Sequence, residues 1–156
     1  LGGTKIGALA AEAVIVTDTS TARGKQLAEA LPFLRKTSMQ LASKMRFVSC
    51  QLNALFENGA SVAITNARHA NAMASKLYEG ITEIAKSNPS VQVPNKVEAN
   101  AVFPILPPAV TKELQQNYRF YVWNQATGQV RLMCSFDTTE EDVNGLLAKL
   151  KALLAR

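Results

Sequence analysis

No apolar run in this sequence approaches the roughly 18–20 residues that a membrane-spanning helix requires. No basic flank followed by an apolar segment opens it, so no signal peptide is read either. The expectation is a soluble, cytoplasmic protein without membrane contact. Cysteine is scarce: Cys50 and Cys134 stand far apart, with no CxxC or Cys/His spacing. That pattern argues against a structural zinc site and leaves two buried free thiols as the expectation. Histidine is scarcer still, with His69 alone. The net charge of +5 comes from scattered lysines and arginines with no interleaved aromatic cluster, which reads as a solvated surface and not as a nucleic-acid interface. An initiator methionine is also lacking. The chain reads as starting inside a loop, so its charge balance need not be that of a whole protein.

What is present is a globular composition, 47% hydrophobic and 19% charged over 156 residues, enough for one domain or two small lobes sharing a long helix. After a small-residue stretch at 8–13, the β-branched run Ala13-Val14-Ile15-Val16-Thr17 reads as a short buried strand ending in a turn. A polar helix over 21–30 follows, and Pro32 argues against its running straight through. Leu41, Met45, Val48, Leu52 and Leu55 step by fours and threes, the stripe of a helix of about 18 residues, which Asn58-Gly59 ends. A second long helix over 61–86 carries Ala67, Ala70, Ala74, Leu77, Ile81 and Ile84 on one face. Beyond Pro89, residues 101–106 read as an edge strand because of Pro104. A short helix over 108–118 starts with Pro108 near its first position.

Residues 120–124 and 130–136 read as two strands joined by the five-residue loop 125–129. The last helix opens at Thr138 with Glu141 three residues on, a capping-box spacing. Val143, Leu146, Leu147, Leu150, Leu153 and Leu154 form its apolar stripe. From residue 61 the order helix-strand-helix-strand-strand-helix predicts an α/β lobe, with helices covering one face of a small, mainly antiparallel sheet.

The candidate for chemistry at the start of the chain is Lys5, set in Leu1-Gly2-Gly3-Thr4-Lys5-Ile6-Gly7. A P-loop needs GxxxxGK[ST], whereas here threonine precedes the lysine and isoleucine follows it, so the phosphate-loop reading fails. Two readings stay open on the residues alone: an exposed surface lysine, or a Schiff-base nucleophile whose small neighbours let a bulky ring approach the backbone. Arg131 is open in the same way, as a strand-edge surface arginine or as a planar clamp for a carboxylate. Trp123, with Tyr121 and Phe120, is expected to fill the sheet of the lobe, and His69 to be structural.

Gly2-Gly3-Thr4-Lys5-Ile6-Gly7 followed by a strand-like run resembles the pyridoxal-phosphate lysine motif of the low-specificity L-threonine aldolase family. That family sits among the β-eliminating lyases of the aspartate-aminotransferase fold. The resemblance continues in order through Leu31-Pro32-Phe33-Leu34-Arg35-Lys36 with Gln40, Arg68-His69-Ala70-Asn71-Ala72, Ala99-Asn100-Ala101-Val102-Phe103, Val130-Arg131-Leu132-Met133 and Asp137-Thr138-Thr139. It implies the C-terminal part of a fold-type I PLP-dependent transferase-like enzyme. Residues 1–59 would be the end of the large PLP-binding domain, and 60–156 a small C-terminal α/β domain.

The activity implied is cleavage of L-threonine or L-allo-threonine to glycine and acetaldehyde, by retro-aldol reaction of the external aldimine. Another PLP lyase acting on aromatic amino acids is the alternative, and a catalytically incomplete fragment with only an association role is a third. The cofactor implied is pyridoxal 5'-phosphate, with Lys5 as its covalent and catalytic lysine and Thr4 steadying the lysine or a phosphate oxygen. Arg131 is implied to pair with the substrate α-carboxylate. Lys36 is implied as a basic residue near the active site, with Arg35 the runner-up. Groups for the phosphate, the ring face and the pyridine nitrogen are expected upstream of the lysine, in a missing N-terminal half. The partners implied are that half, an amino-acid substrate, and further copies in a homodimer or homotetramer. No metal, nucleic acid or membrane is expected.

Overall fold

The computed structural model describes residues 1–155. A single 3-10 turn at Thr4–Ile6 is followed by α1 (Ala22–Thr37), α2 (Arg46–Ser87), β1 (Ala101–Val102), α3 (Pro108–Leu114), β2 (Tyr121–Asn124), β3 (Gln129–Met133) and α4 (Glu140–Leu154). The chain divides into two units, Leu1–Val62 and a second from Ala63 onward. The division falls within α2, whose backbone is not helical at Glu57–Ala60. Asn58, Gly59 and Ala60 all have φ between 51° and 72° there, a left-handed conformation that glycine adopts freely and alanine does not. The stop expected at Asn58-Gly59 is therefore present, and a helix resumes directly after it.

In the second unit β3 is the central strand of a three-stranded antiparallel sheet, with β1 and β2 on its two edges. Ala101 pairs with Met133 and Val102 with Leu132 on one side, and Tyr121 pairs with Arg131 and Val122 with Val130 on the other. Successive side chains alternate between faces. Val130 and Leu132 are thus buried on one face, while Arg131 lies on the other, half-buried. The buried face meets one apolar cluster that takes Leu77, Ile81 and Ile84 from α2, Val110 and Leu114 from α3, and Val143, Leu146, Leu150 and Leu153 from α4. Each such side chain removed from water contributes roughly 1.5–3 kcal/mol before the entropy of ordering it is subtracted. Gly80 lets α2 and α4 approach closely, since a Cβ there would sit 2.3 Å from Leu147 Cδ1. The expected lobe, helices on one face of a small antiparallel sheet, is the architecture found.

Local signals in this unit are met with small shifts. Pro108 occupies the first turn of α3 as expected, but α3 ends at Leu114 and not near 118. The edge strand is two residues long, and Ile105 adds isolated bridges to Gln92 and Gln129. Gln129 belongs to β3, so the hairpin loop is one residue shorter than read. The cap of α4 is Thr139 and not Thr138: the Thr139 hydroxyl accepts from the Asp142 amide at 3.1 Å, and Asp142 Oδ2 accepts from the Thr139 amide at 2.8 Å. Two threonines in a row each have an acid three positions on. Thr138 is taken up earlier, its hydroxyl accepting from the Ser135 amide at 2.9 Å.

The first unit is built differently. Residues 1–13 fold back on themselves, Gly3 N donating to Ala11 O and Ala13 N to Leu1 O, both at 2.8 Å. Leu9 N is held by Gln51 Oε1 at 2.7 Å. The expected strand at 13–17 is absent, because no neighbouring strand is there to take its backbone groups among the described residues. Val14 is 76% exposed and Ile15 60% exposed, so the run is not buried. The helix expected to stop near Pro32 runs on to Thr37 with Pro32 inside it. Proline forfeits one helical hydrogen bond, and its exposed position leaves solvent to replace it. Leu41 and Met45 fall outside α2, which begins at Arg46, so the apolar stripe is shorter than its spacing suggests. Cys50 is exposed, against the expectation of a buried thiol, whereas Cys134 is buried. Burial raises the Cys134 thiol pKa above its ordinary value.

Candidate functional site

Lys5 sits at the middle of the 3-10 turn Thr4–Ile6, and the turn's shape is set by the glycines around it. A Cβ on Gly3 would lie 2.8 Å from Ala8 Cβ and 2.9 Å from Ala11 O, so only glycine lets the returning segment pass this close. Gly7 closes the turn at φ 112°, with its amide donating to Thr4 O at 3.4 Å. The result is a short tight turn on which Lys5 and Thr4 are both exposed. Among the described residues the Lys5 ammonium is paired with no carboxylate. A tight turn that offers an uncommitted amine to the outside suits a lysine whose partner is a carbonyl compound.

Lys36 and Arg35 occupy the last turn of α1, both exposed. Positive charge there complements the carbonyl end of the helix dipole and leaves both cationic heads in solvent. The helix itself is begun by Thr21, whose hydroxyl accepts from the Gly24 amide at 3.1 Å. Asp18 ties Ser20 just before it, through its amide at 2.8 Å and its hydroxyl at 2.6 Å. Those hydrogen bonds, the hydroxyl's first, hold the Asp18 carboxyl below its usual pKa.

Arg131 is placed by the sheet of the second unit. It lies at the middle of the central strand, on the face away from the apolar cluster, opposite Tyr121. Its guanidinium carbon stands 5.5 Å from the centroid of the Trp123 ring, and Nη2 donates to Met133 Sδ at 3.2 Å. The edge of Phe103 in turn meets Trp123, with ring centroids 5.4 Å apart and planes at 66°. Among the described residues no carboxylate pairs with Arg131. A half-buried arginine whose guanidinium lies over one indole ring and lacks a counter-ion among the described residues of its own unit has the planar donor edge that a carboxylate recognises bidentately.

Thr4, Lys5 and Lys36 thus belong to the first unit and Arg131 to the second. Trp123 and Tyr121 correct the sequence expectation. They are 59% and 77% exposed and lie outside the core, while Phe120 alone of the three packs against it. Strand parity puts Tyr121, Arg131 and Met133 on one face, but the register shift between Val122 and Asn124 interrupts the alternation at Trp123, so spacing alone does not place that ring. His69 is exposed, and its Nε2 donates to Thr138 O at 2.7 Å, a contact between α2 and the approach to α4. Lys76 and Glu140 form an ion pair between the same elements, which holds the Glu140 carboxyl below its usual pKa. A cavity of about 350 Å³ beside α1 and one of about 240 Å³ beside Phe120 and Cys134 are lined by other residues. Among the described residues there is no cluster able to hold a metal ion. No helix in them is long and apolar enough to cross a membrane.

No family model matches the chain. It is 36% identical over 155 residues to the low specificity L-threonine aldolase of Pseudomonas sp. (strain NCIMB 10558), a match covering 99% of this chain and 41% of that protein. It is 32% identical over 154 residues to the low specificity L-threonine aldolase of Pseudomonas aeruginosa, covering 98% of this chain and 41% of that one. Among solved structures it is similar to Leishmania major threonine aldolase, with a TM-score of 0.59 and 22% identity, covering 86% of this chain and 36% of that one. The last likeness shows the fold, an α/β arrangement shared with part of a threonine aldolase. The chain spans about two fifths of the length of the curated relatives it matches.

Proposed function

We propose that this chain is the C-terminal part of a PLP-dependent threonine aldolase, a carbon–carbon lyase that cleaves L-threonine or L-allo-threonine to glycine and acetaldehyde. The observation that carries the reading is the similarity to two Pseudomonas aldolases, which runs through almost the whole chain and so includes both the Lys5 turn and the Arg131 strand. In this reading residues 1–59 are the end of the large PLP-binding domain and 60–156 the small domain. The rest of the large domain, an amino-acid substrate and further copies in a dimer or tetramer are the partners, and the compartment is the cytoplasm.

The residues present fit the cofactor. Lys5 supplies an exposed amine, paired with no carboxylate of the described chain, on a turn flanked by Gly3 and Gly7. When bound, PLP supplies the electron sink for the charge left on Cα as the Cα–Cβ bond breaks. Lys5 Nζ is the covalent anchor and the atom at which a proton is held or passed. The Thr4 hydroxyl steadies the lysine or a phosphate oxygen, and Lys36 adds positive charge where an anion must be held. Arg131 takes the α-carboxylate by two parallel N–H···O bonds and so fixes which Cα bond is aligned for cleavage. The base that removes the β-hydroxyl proton comes from outside these residues.

The test is the product. The full-length, PLP-loaded protein is expected to release acetaldehyde from L-threonine. Pyruvate from tyrosine or tryptophan, with no aldehyde from threonine, would replace the aldolase reading with the eliminase one.

A further inference from the structure

We infer that Trp123 is a positioning residue for Arg131, holding the guanidinium over its ring and ready for a substrate carboxylate; the inference rests on the reading of Arg131 as the carboxylate clamp. An arginine side chain left to itself is spread over many rotamers, and that freedom is lost whenever it binds. Here two contacts restrict it beforehand. The guanidinium carbon lies 5.5 Å from the Trp123 ring centroid, within the range at which a cation is drawn to the face of an indole. Nη2 rests on Met133 Sδ at 3.2 Å, so one corner of the plane is fixed by a weak acceptor. Nε, Nη1 and the second Nη2 hydrogen have no partner among the described residues, so one donor edge that shares Nη2 stays available.

The Trp123 ring is itself held. Phe103, the residue after β1, meets it edge-to-face at 66°, an arrangement favoured between aromatic rings. The pairing of β2 with β3 shifts register between Val122 and Asn124, so Trp123 is the extra residue of a bulge. Bulges re-aim a side chain at the expense of regular pairing. Core packing does not account for the residue: at 59% exposed it contributes little to the cluster on the other face. What it does contribute is a broad, polarisable surface under a charge.

The test is a double-mutant cycle in the full-length, PLP-loaded protein, with glycine and glycinamide as ligands measured by titration calorimetry. Trp123→Leu is expected to weaken glycine about two- to fivefold, the size of a partly exposed cation–π contact. It should leave glycinamide, which lacks the carboxylate, unchanged. Trp123→Phe should recover most of the loss, and for L-threonine the effect should appear in KM and not in kcat. In an Arg131→Met background, Trp123→Leu should change nothing further. Equal weakening of glycine and glycinamide, or the same loss with and without Arg131, would show a merely structural tryptophan and overturn the inference. If Arg131→Met weakens glycine while Trp123→Leu does not, the inference fails and the clamp stands. If Arg131→Met leaves glycine affinity unchanged, the clamp reading itself fails and takes the inference with it.

Discussion

From Ala63 onward, α2, α3 and α4 bury Ile81, Leu114 and Leu150 completely against the sheet, whereas in residues 1–62 Val14, Phe33 and Phe47 lie open to solvent. Both stretches are rich in apolar residues. They differ in whether those residues find partners within their own unit. In the second unit the pattern closes on itself: the β3 alternation, the α2 stripe and the α4 stripe point to one cluster. In the first, Ala8, Ala11 and Leu55 are buried while most large side chains are not. A helical or strand-like period thus says which residues want a partner, and only the fold says whether this chain contains it. Under the proposed reading, the open side chains of the first unit are those that the remainder of the enzyme contacts.

That contrast can be broken by substitution. Ile81→Ala removes a side chain with no exposed surface and is expected to lower stability by about 2–5 kcal/mol in urea unfolding. In this 156-residue chain by itself, the counterpart Phe33→Ala should change stability by no more than about 0.5 kcal/mol, as for other surface positions. A large loss from Phe33→Ala would mean that the first unit has a core of its own.

A subtler pair uses one chemistry in both units. Thr139→Ala deletes the cap of α4 and should cost about 1 kcal/mol of global stability. Thr21→Ala deletes the equivalent cap of α1, and its effect should be confined to faster amide exchange near the start of that helix. Global destabilisation by both would erase the distinction between the units.

The smallest effect is in acid. The Thr139 amide, and then its hydroxyl, hold the Asp142 carboxyl below its usual pKa, so its folded value lies below its unfolded one. Its contribution is therefore present above the ordinary carboxylate range and is lost as pH falls through the depressed folded value. Asp142→Asn should flatten the fall of stability with acid. An unchanged slope would show that the cap gains nothing from the charge.

The second unit was legible in the sequence because its signals are local or periodic. Val143, Leu146 and Leu150 announce a buried helix face, Pro108 a helix start, and the parity of Val130, Arg131 and Leu132 the two faces of a strand. The cap slipped by one because Thr138-Thr139 offers the same spacing twice, and only the competing bond from Ser135 decides between them. The first unit was less legible. A strand at 13–17 needs a neighbour that spacing cannot show, and the break expected at Pro32 depends on solvent exposure. Of the candidate site, Lys5 and Arg131 were visible as residue types in context. Trp123 was read as filler, because its relation to Arg131 passes through the register of a hairpin.

The central claim, that Lys5 carries the cofactor, is tested most directly by reducing the full-length protein with borohydride in the presence of PLP and mapping the modified peptide by mass. The account predicts a pyridoxyl group on Lys5 that disappears in Lys5→Ala; a group on another lysine, or none at all, would contradict it.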